Sequence, residues 1–235
     1  MTTEQTRRNW MTGATAATLA MAALPIGARA QSAGVPKMEY TPKKLPFDPS
    51  KVKGLSEKIL TSHYENNYIG AVKRLNTITA QLASLDVANA PVFTVNGLKR
   101  EELIATNSMI IHELYFDSLA GEGDPAGPLA AAINRDFGSL ARWKAEFSAT
   151  GKALGGGSGW VLLSYSPHDK RLVNSWAADH TMTVAGGRPI LALDMYEHAY
   201  QMDYGAKAAA YVDAFMQSIR WSNTASLFER YSKET

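Results

Sequence analysis

Pro189-Ile190-Leu191-Ala192-Leu193-Asp194-Met195-Tyr196-Glu197-His198-Ala199-Tyr200 takes the chain out of an apolar run into a carboxylate, with an imidazole four residues later. The run is short and follows the Gly186-Gly187 turn, so it predicts a buried strand over 189–193. Asp194 then stands at the strand end, a position suited to function. An Asp with a His four residues on is a weak signal by itself, because a capping Asp and a surface His satisfy it equally.

Upstream, Gly155-Gly156-Gly157-Ser158-Gly159 precedes the apolar run Trp160 to Tyr165, and Arg171 to Ala177 follows the Pro167-His168-Asp169 turn. Together with 189–193 these predict three short antiparallel strands. Helices are expected on both sides of them: Leu129 to Phe137, Ser139 to Ala153 with Ser139 as N-cap, Ala206 to Arg220 and Ala225 to Tyr231. Further back, Leu55, Ile59, Leu60, Tyr64, Tyr68, Val72, Leu75, Ile78 and Leu82 recur at three or four, predicting one long amphipathic helix from Leu55 to about Leu85. A second helix is expected from about Lys99 to Leu119, ended by Gly121-Glu122-Gly123-Asp124-Pro125. The fold class is α+β: an N-terminal antiparallel helical hairpin over 55–125, then a mixed lobe over 126–235 with a three-stranded antiparallel sheet and flanking helices.

The chain has no cysteine and five histidines, so any metal must sit on nitrogen and oxygen. His63 is central in the first predicted helix and His112 in the second, each beside an apolar stripe that must face its neighbour in a hairpin. Two buried imidazoles facing each other invite a shared partner, because an unpaired one is costly to bury. The pair alone reads as well as two satisfied core or surface histidines.

Asp194-Met195-Tyr196-Glu197-His198-Ala199-Tyr200 as a whole resembles the D-x-W-E-H-A-F/Y signature of iron/manganese superoxide dismutases. Asp136-Phe137-Gly138-Ser139-Leu140, with Lys144 and Phe147, is similar to that family's F-G-S-hydrophobic segment, and Gly157-Ser158-Gly159-Trp160 matches its G-S-G-W. The resemblance covers about residues 55–231. It implies the dismutase fold and one iron or manganese ion per subunit, held by His63, His112, Asp194 and His198 with a solvent molecule as fifth ligand. It implies conversion of superoxide to dioxygen and hydrogen peroxide. It also implies a homodimer, possibly a tetramer, in which Glu197 reaches the partner subunit's His198. His180, in Asp179-His180, occupies the place of the residue that bonds the solvent ligand; the alternative is an exposed loop histidine. A His rather than a Gln there resembles iron-using or metal-tolerant members, which favours iron.

The chain departs from the family around those ligands. Where the family carries His, His and Tyr at i, i+4 and i+8 of the first helix, this chain reads His63, Asn67 and Ala71. The gateway tyrosine is thus replaced by Ala71 and the outer histidine by Asn67; Tyr64 and Tyr68 compensate only if the helix rotates. Phe116 and Tyr196 stand where Trp is usual, Gln201 where an interface Tyr is usual, and Trp160 keeps its place. Two other functions are consistent with these changes: a metal-binding relative with weak or no dismutase activity that handles iron or manganese, and another redox activity using the wider channel.

The first 30 residues have a different texture. Arg7-Arg8, an apolar stretch from Met11 to Ala28 and Ala28-Arg29-Ala30 before Gln31 have the layout of a signal peptide, resembling a twin-arginine signal cleaved after Ala30. Export to the periplasm or medium, with no span left after cleavage, is the expectation. Residues 31–54, with Pro36, Pro42, Pro46 and Pro49, predict an extended surface arm. The formal charge of +2 is carried entirely by the leader, and no basic run follows it, which argues against nucleic acid as a partner. At 46% hydrophobic and 20% charged residues the composition is that of an ordinary folded protein.

Overall fold

Residues 38–121 and 123–234 are described in the computed structural model. The expected leader, and the first part of the expected arm with Pro36, lie outside the described residues.

Ser56 opens the first helix, its hydroxyl accepting from Ile59 N. The rod is not one uninterrupted α-helix as the periodicity predicts. It is α1 (Glu57–Ser62), a π-helical stretch (His63–Tyr68) and α2 (Ile69–Ser84). In the π stretch Ile69 N bonds back to Tyr64 O, five residues away. The widened turn replaces a four-residue step with a five-residue one, so the buried positions run Leu60, His63, Tyr68, Val72, Leu75. Strict α-periodicity assigns Tyr64 to the apolar stripe and leaves His63 beside it; the π turn brings His63 inside.

α3 (Val92–Asp117) begins about two turns before the expected Lys99. Its first residues, Val92 and Phe93, are exposed, so no buried stripe marks the start, which follows Pro91. α2 and α3 pack as the hairpin. Residues 40–43 run along it, with Tyr40 N and O both bonded to the Asn76 amide and Lys43 N donating to Tyr68 Oη at 2.7 Å. The expected extended arm then gives way to a 3-10 turn at Pro49–Lys51 and a buried Val52, and the Lys53 and Gly54 carbonyls accept from Ser218 and Tyr204.

α4 (Gly127–Phe137) and α5 (Leu140–Ala153) follow, the latter capped by Ser139, whose hydroxyl accepts from Arg142 N. The sheet comprises β1 (Trp160–Ser166), β2 (Arg171–Ala177) and β3 (Arg188–Asp194), antiparallel in the order β2-β1-β3. Every residue of β1 is buried, as its continuous apolar run requires. Pro189 lies on the edge strand β3 beside a register shift, where its missing N–H is tolerated. α6 (Gln201–Tyr204), α7 (Ala208–Gln217) and α8 (Trp221–Lys233) complete the chain; α8 starts four residues before the expected Ala225. Trp143, Phe147 and Trp160 are fully buried, each contributing on the order of 2–3 kcal/mol of transfer free energy. Among the described residues no helix is long and apolar enough to cross a membrane.

The register decides where chemistry gathers. Trp160, at the start of β1, pairs with Ala177 at the end of β2 and with Asp194 at the end of β3. One end of the sheet therefore holds Trp160, Asp194 and the segment leading to His180, while α3 packs its His112-bearing half against β3.

Candidate metal centre

Four side chains from four elements converge there. His63 comes from the π stretch, His112 from α3, Asp194 from the end of β3 and His198 from the short 3-10 turn Glu197–Ala199. One ligand atom from each lies within 4.8 Å of the other three. The Nε2 atoms of His63, His112 and His198 stand 3.0, 3.6 and 3.3 Å from a single oxygen, Asp194 Oδ2. The other carboxylate oxygen, Oδ1, accepts from Tyr196 N at 2.8 Å, a local turn that leaves Oδ2 facing the imidazoles. Tyr211 Oη donates to the Asp194 carbonyl at 2.8 Å and fixes the strand end from beneath.

The donor chemistry fits a cation. His112 Nδ1 lies 2.7 Å from Ser108 O, and a carbonyl only accepts, so Nδ1 carries the hydrogen and Nε2 presents a lone pair to the centre. His63 Nε2 and His112 Nε2 are buried and make no hydrogen bond; the 3.0 Å approach of His63 to Asp194 lacks the alignment of one. Two buried ring nitrogens beside a carboxylate oxygen, neither with a hydrogen-bond partner, are costly by themselves and are satisfied by a metal with nitrogen and oxygen ligands.

Burial lowers the proton affinity of His63 against the opposing pull of Asp194, and it pushes His112 down to about 3, helped by neighbouring His63. Burial alone would raise the Asp194 carboxyl, but the His198 imidazole and the contacts from His198 and His63 outweigh it and hold the group below the usual carboxylate range. A neutral His63 and His112 beside an ionised Asp194 are in the protonation states that bind a metal.

Aromatic rings wall the centre. Phe116 lies 5.1 Å from His63 between ring centroids, and Trp160 lies 5.1 Å from His112. Tyr196 is sandwiched, stacking on His180 at 5.0 Å and on His198 at 5.4 Å. His180 is only partly buried and its ring centre is 5.9 Å from that of His112. Glu197 and Gln201 are exposed.

A cavity of about 280 Å³ opens onto His112, His180 and His198, with Asn67 and Ala71 on its wall. Tyr64 and Tyr68 do not line it. Their hydroxyls bind Lys43 O and Glu113 respectively, so neither stands in for the residue replaced at Ala71.

Sequence reasoning did not find Ser108, Asn107 or Arg74. Ser108 acts through its carbonyl, which has no side-chain signature. Asn107 Nδ2 donates to His180 O at 2.6 Å across unrelated segments. Arg74 lines the cavity three residues beyond Ala71, and its place on that helical face was the one available signal.

Residues 125–227 match the family of iron/manganese superoxide dismutases, C-terminal domain. A protein named superoxide dismutase (Fe) from Cupriavidus metallidurans is 71% identical over 191 residues, 81% of this chain and 97% of that protein. Superoxide dismutase (Mn) 1 of Halobacterium salinarum is 35% identical over 196 residues, 82% of this chain and 96% of that protein. Superoxide dismutase (Fe) of Aquifex aeolicus is 33% identical over 193 residues, 79% of this chain and 89% of that protein.

Proposed function

This chain belongs to the iron/manganese superoxide dismutase family, and we propose that it disproportionates superoxide outside the cytoplasm with one iron or manganese ion held by His63, His112, Asp194 and His198. The observation that carries the ligand assignment is the approach of three imidazole Nε2 atoms to the one oxygen Asp194 Oδ2. Iron is favoured, since His180 takes the place of a Gln and the 71% identical relative is named for iron.

When bound, the ion supplies a reversible one-electron change, by which one superoxide is oxidised to dioxygen and a second is reduced. The second step consumes two protons to give hydrogen peroxide, and the chain's residues must manage them. His180 is suited to that task. Its Nδ1 accepts from Trp160 Nε1 at 2.9 Å, so its neutral ring carries hydrogen on Nε2, available to donate in the cavity it lines. Burial, opposed by Asp194 and aided by neighbouring His198, lowers its proton affinity, so the neutral ring is the resting form. Tyr196, stacked between His180 and His198, holds the two rings in register. Asn67 and Ala71 leave the cavity without a phenol at its neck.

Export rests on Arg7-Arg8, the apolar stretch and Ala28-Arg29-Ala30. The homodimer rests on exposed Glu197, free to meet the partner subunit's His198. The test is superoxide consumption by the chain from Gln31, reconstituted separately with iron and with manganese, with His112→Ala as control. Turnover with one metal that is lost in the control supports the assignment, and full metal occupancy with turnover no better than the control overturns it. Recovery of the mature N-terminus from the periplasm and sedimentation at dimer mass test the other two elements.

A further inference from the structure

The cavity's wall is chemically one-sided. Gly70 and Ala71 supply almost no side chain on the α2 face, and a Cβ built at Gly70 meets nothing within 4 Å. Arg74 lies four and three residues beyond them on the same helical face. Among the described residues that line the cavity it is the one formal cation, and none is a carboxylate. Its side chain is 55% exposed, so the guanidinium stands where the cavity meets solvent, while His112, His180 and His198 lie on its wall.

A salt bridge restrains that cation. Arg74 Nη2 pairs with Glu101 Oε2 on α3, and Glu101 Oε1 is also 3.5 Å from Arg100 Nη1. Glu101 does not line the cavity. We infer that Arg74 draws anions into the cavity toward the metal centre and that Glu101, by pairing with it at the rim, limits that attraction. This deepens the dismutase reading, since superoxide is an anion and must come in by such an opening.

The physics favours a local effect over a net-charge effect. A concave wall of low polarisability focuses the field of one cation along its axis, raising the encounter rate of an anion, and salt screens the gain over about 8–10 Å. An arginine suits an oxyanion because its donors lie in one plane. An exposed ion pair contributes little to folding, so variants that break it should keep their structure.

The metal-loaded chain is compared with Arg74→Gln, Glu101→Gln and Lys73→Gln. Lys73 is exposed beside Arg74 but does not line the cavity, so it controls for net charge. Two quantities are measured at low and physiological ionic strength: the second-order rate of superoxide decay after pulse radiolysis, and azide affinity from optical titration. Arg74→Gln is expected to lower both about three- to tenfold at low salt, with the loss shrinking as salt is added. Glu101→Gln is expected to raise both, and Lys73→Gln to leave both unchanged. Coincidence of Arg74→Gln with Lys73→Gln in both quantities overturns the guiding role, and a Glu101→Gln chain equal to the parent overturns the restraint. If the loaded parent fails to consume superoxide while azide affinity still ranks Glu101→Gln above parent above Arg74→Gln, the dismutase reading falls and anion guidance stands.

Discussion

Trp160 Nε1 donates a 2.9 Å hydrogen bond to His180 Nδ1, and this bond selects the tautomer in which the imidazole offers Nε2–H. A tryptophan fixed in the buried first position of β1 thereby sets the hydrogen-bonding sense of a ring in a loop twenty residues on.

Trp160→Phe keeps an aromatic ring against His112 and removes the donor. The metal content should be unchanged while superoxide turnover falls by about one to two orders of magnitude, the scale of a positioned proton-transfer group. Metal analysis beside pulse radiolysis checks it; nitrogen NMR of His180 in the stripped protein should show a mixture of tautomers replacing one. Unchanged turnover sinks the positioning role.

Ala71 is buried but lies on the wall of the cavity of about 280 Å³, so Ala71→Tyr turns a phenol into that open space. The variant should unfold within about 1 kcal/mol of the parent, since overpacking costs arise where there is no room. Azide should enter more slowly than in the parent. Denaturant titration and stopped-flow azide binding measure the two; a large loss of stability would mean the cavity is not the space described.

Removal of the metal should lower the unfolding midpoint, by an amount equivalent to about 4 kcal/mol if free metal exceeds its dissociation constant a thousandfold. The stripped protein should also become acid-sensitive. His112 is pushed down to about 3, below its ordinary 6.5, so the unfolded chain binds a proton between those values that the fold refuses. Stability is then fully present above pH 6.5 and declines as pH falls from there toward 3. Denaturant unfolding of the stripped chain at several pH values reads this slope directly, and a flat profile would contradict it.

Two glycines should respond oppositely. At Gly159, φ is +131° and a Cβ would lie 2.1 Å from Ala177 O, at the sheet end that carries Asp194. Gly159→Ala should cost several kcal/mol and reduce metal occupancy, because backbone must move. At Gly70 a Cβ meets nothing within 4 Å. Gly70→Ala should stabilise by about 0.5–1 kcal/mol through helix propensity alone. Thermal unfolding of both, with metal analysis, separates close approach from simple chain entropy.

The α+β class, the helical hairpin and the three strands follow from residue periodicity, because each element buries one face and the spacing of apolar positions records it. The set His63, His112, Asp194 and His198 comes instead from the resemblance of Asp194 to Tyr200 to the family signature. Residue type and position alone leave the two helical histidines readable as ordinary core or surface residues, and Asp194 with His198 as a cap and a surface imidazole. Periodicity assumes a uniform helix, so it misplaced Tyr64 and could not register the π turn that brings His63 inward. It also missed the start of α3, where exposed Val92 and Phe93 leave no buried stripe. The Ser108 carbonyl beneath His112, the Trp160 indole on His180 and the Glu101 carboxylate on Arg74 were decided by tertiary structure alone. The first is a backbone group that every residue possesses. The other two join segments whose proximity depends on sheet register and helix packing, and neither register nor packing is written in the spacing of any one segment.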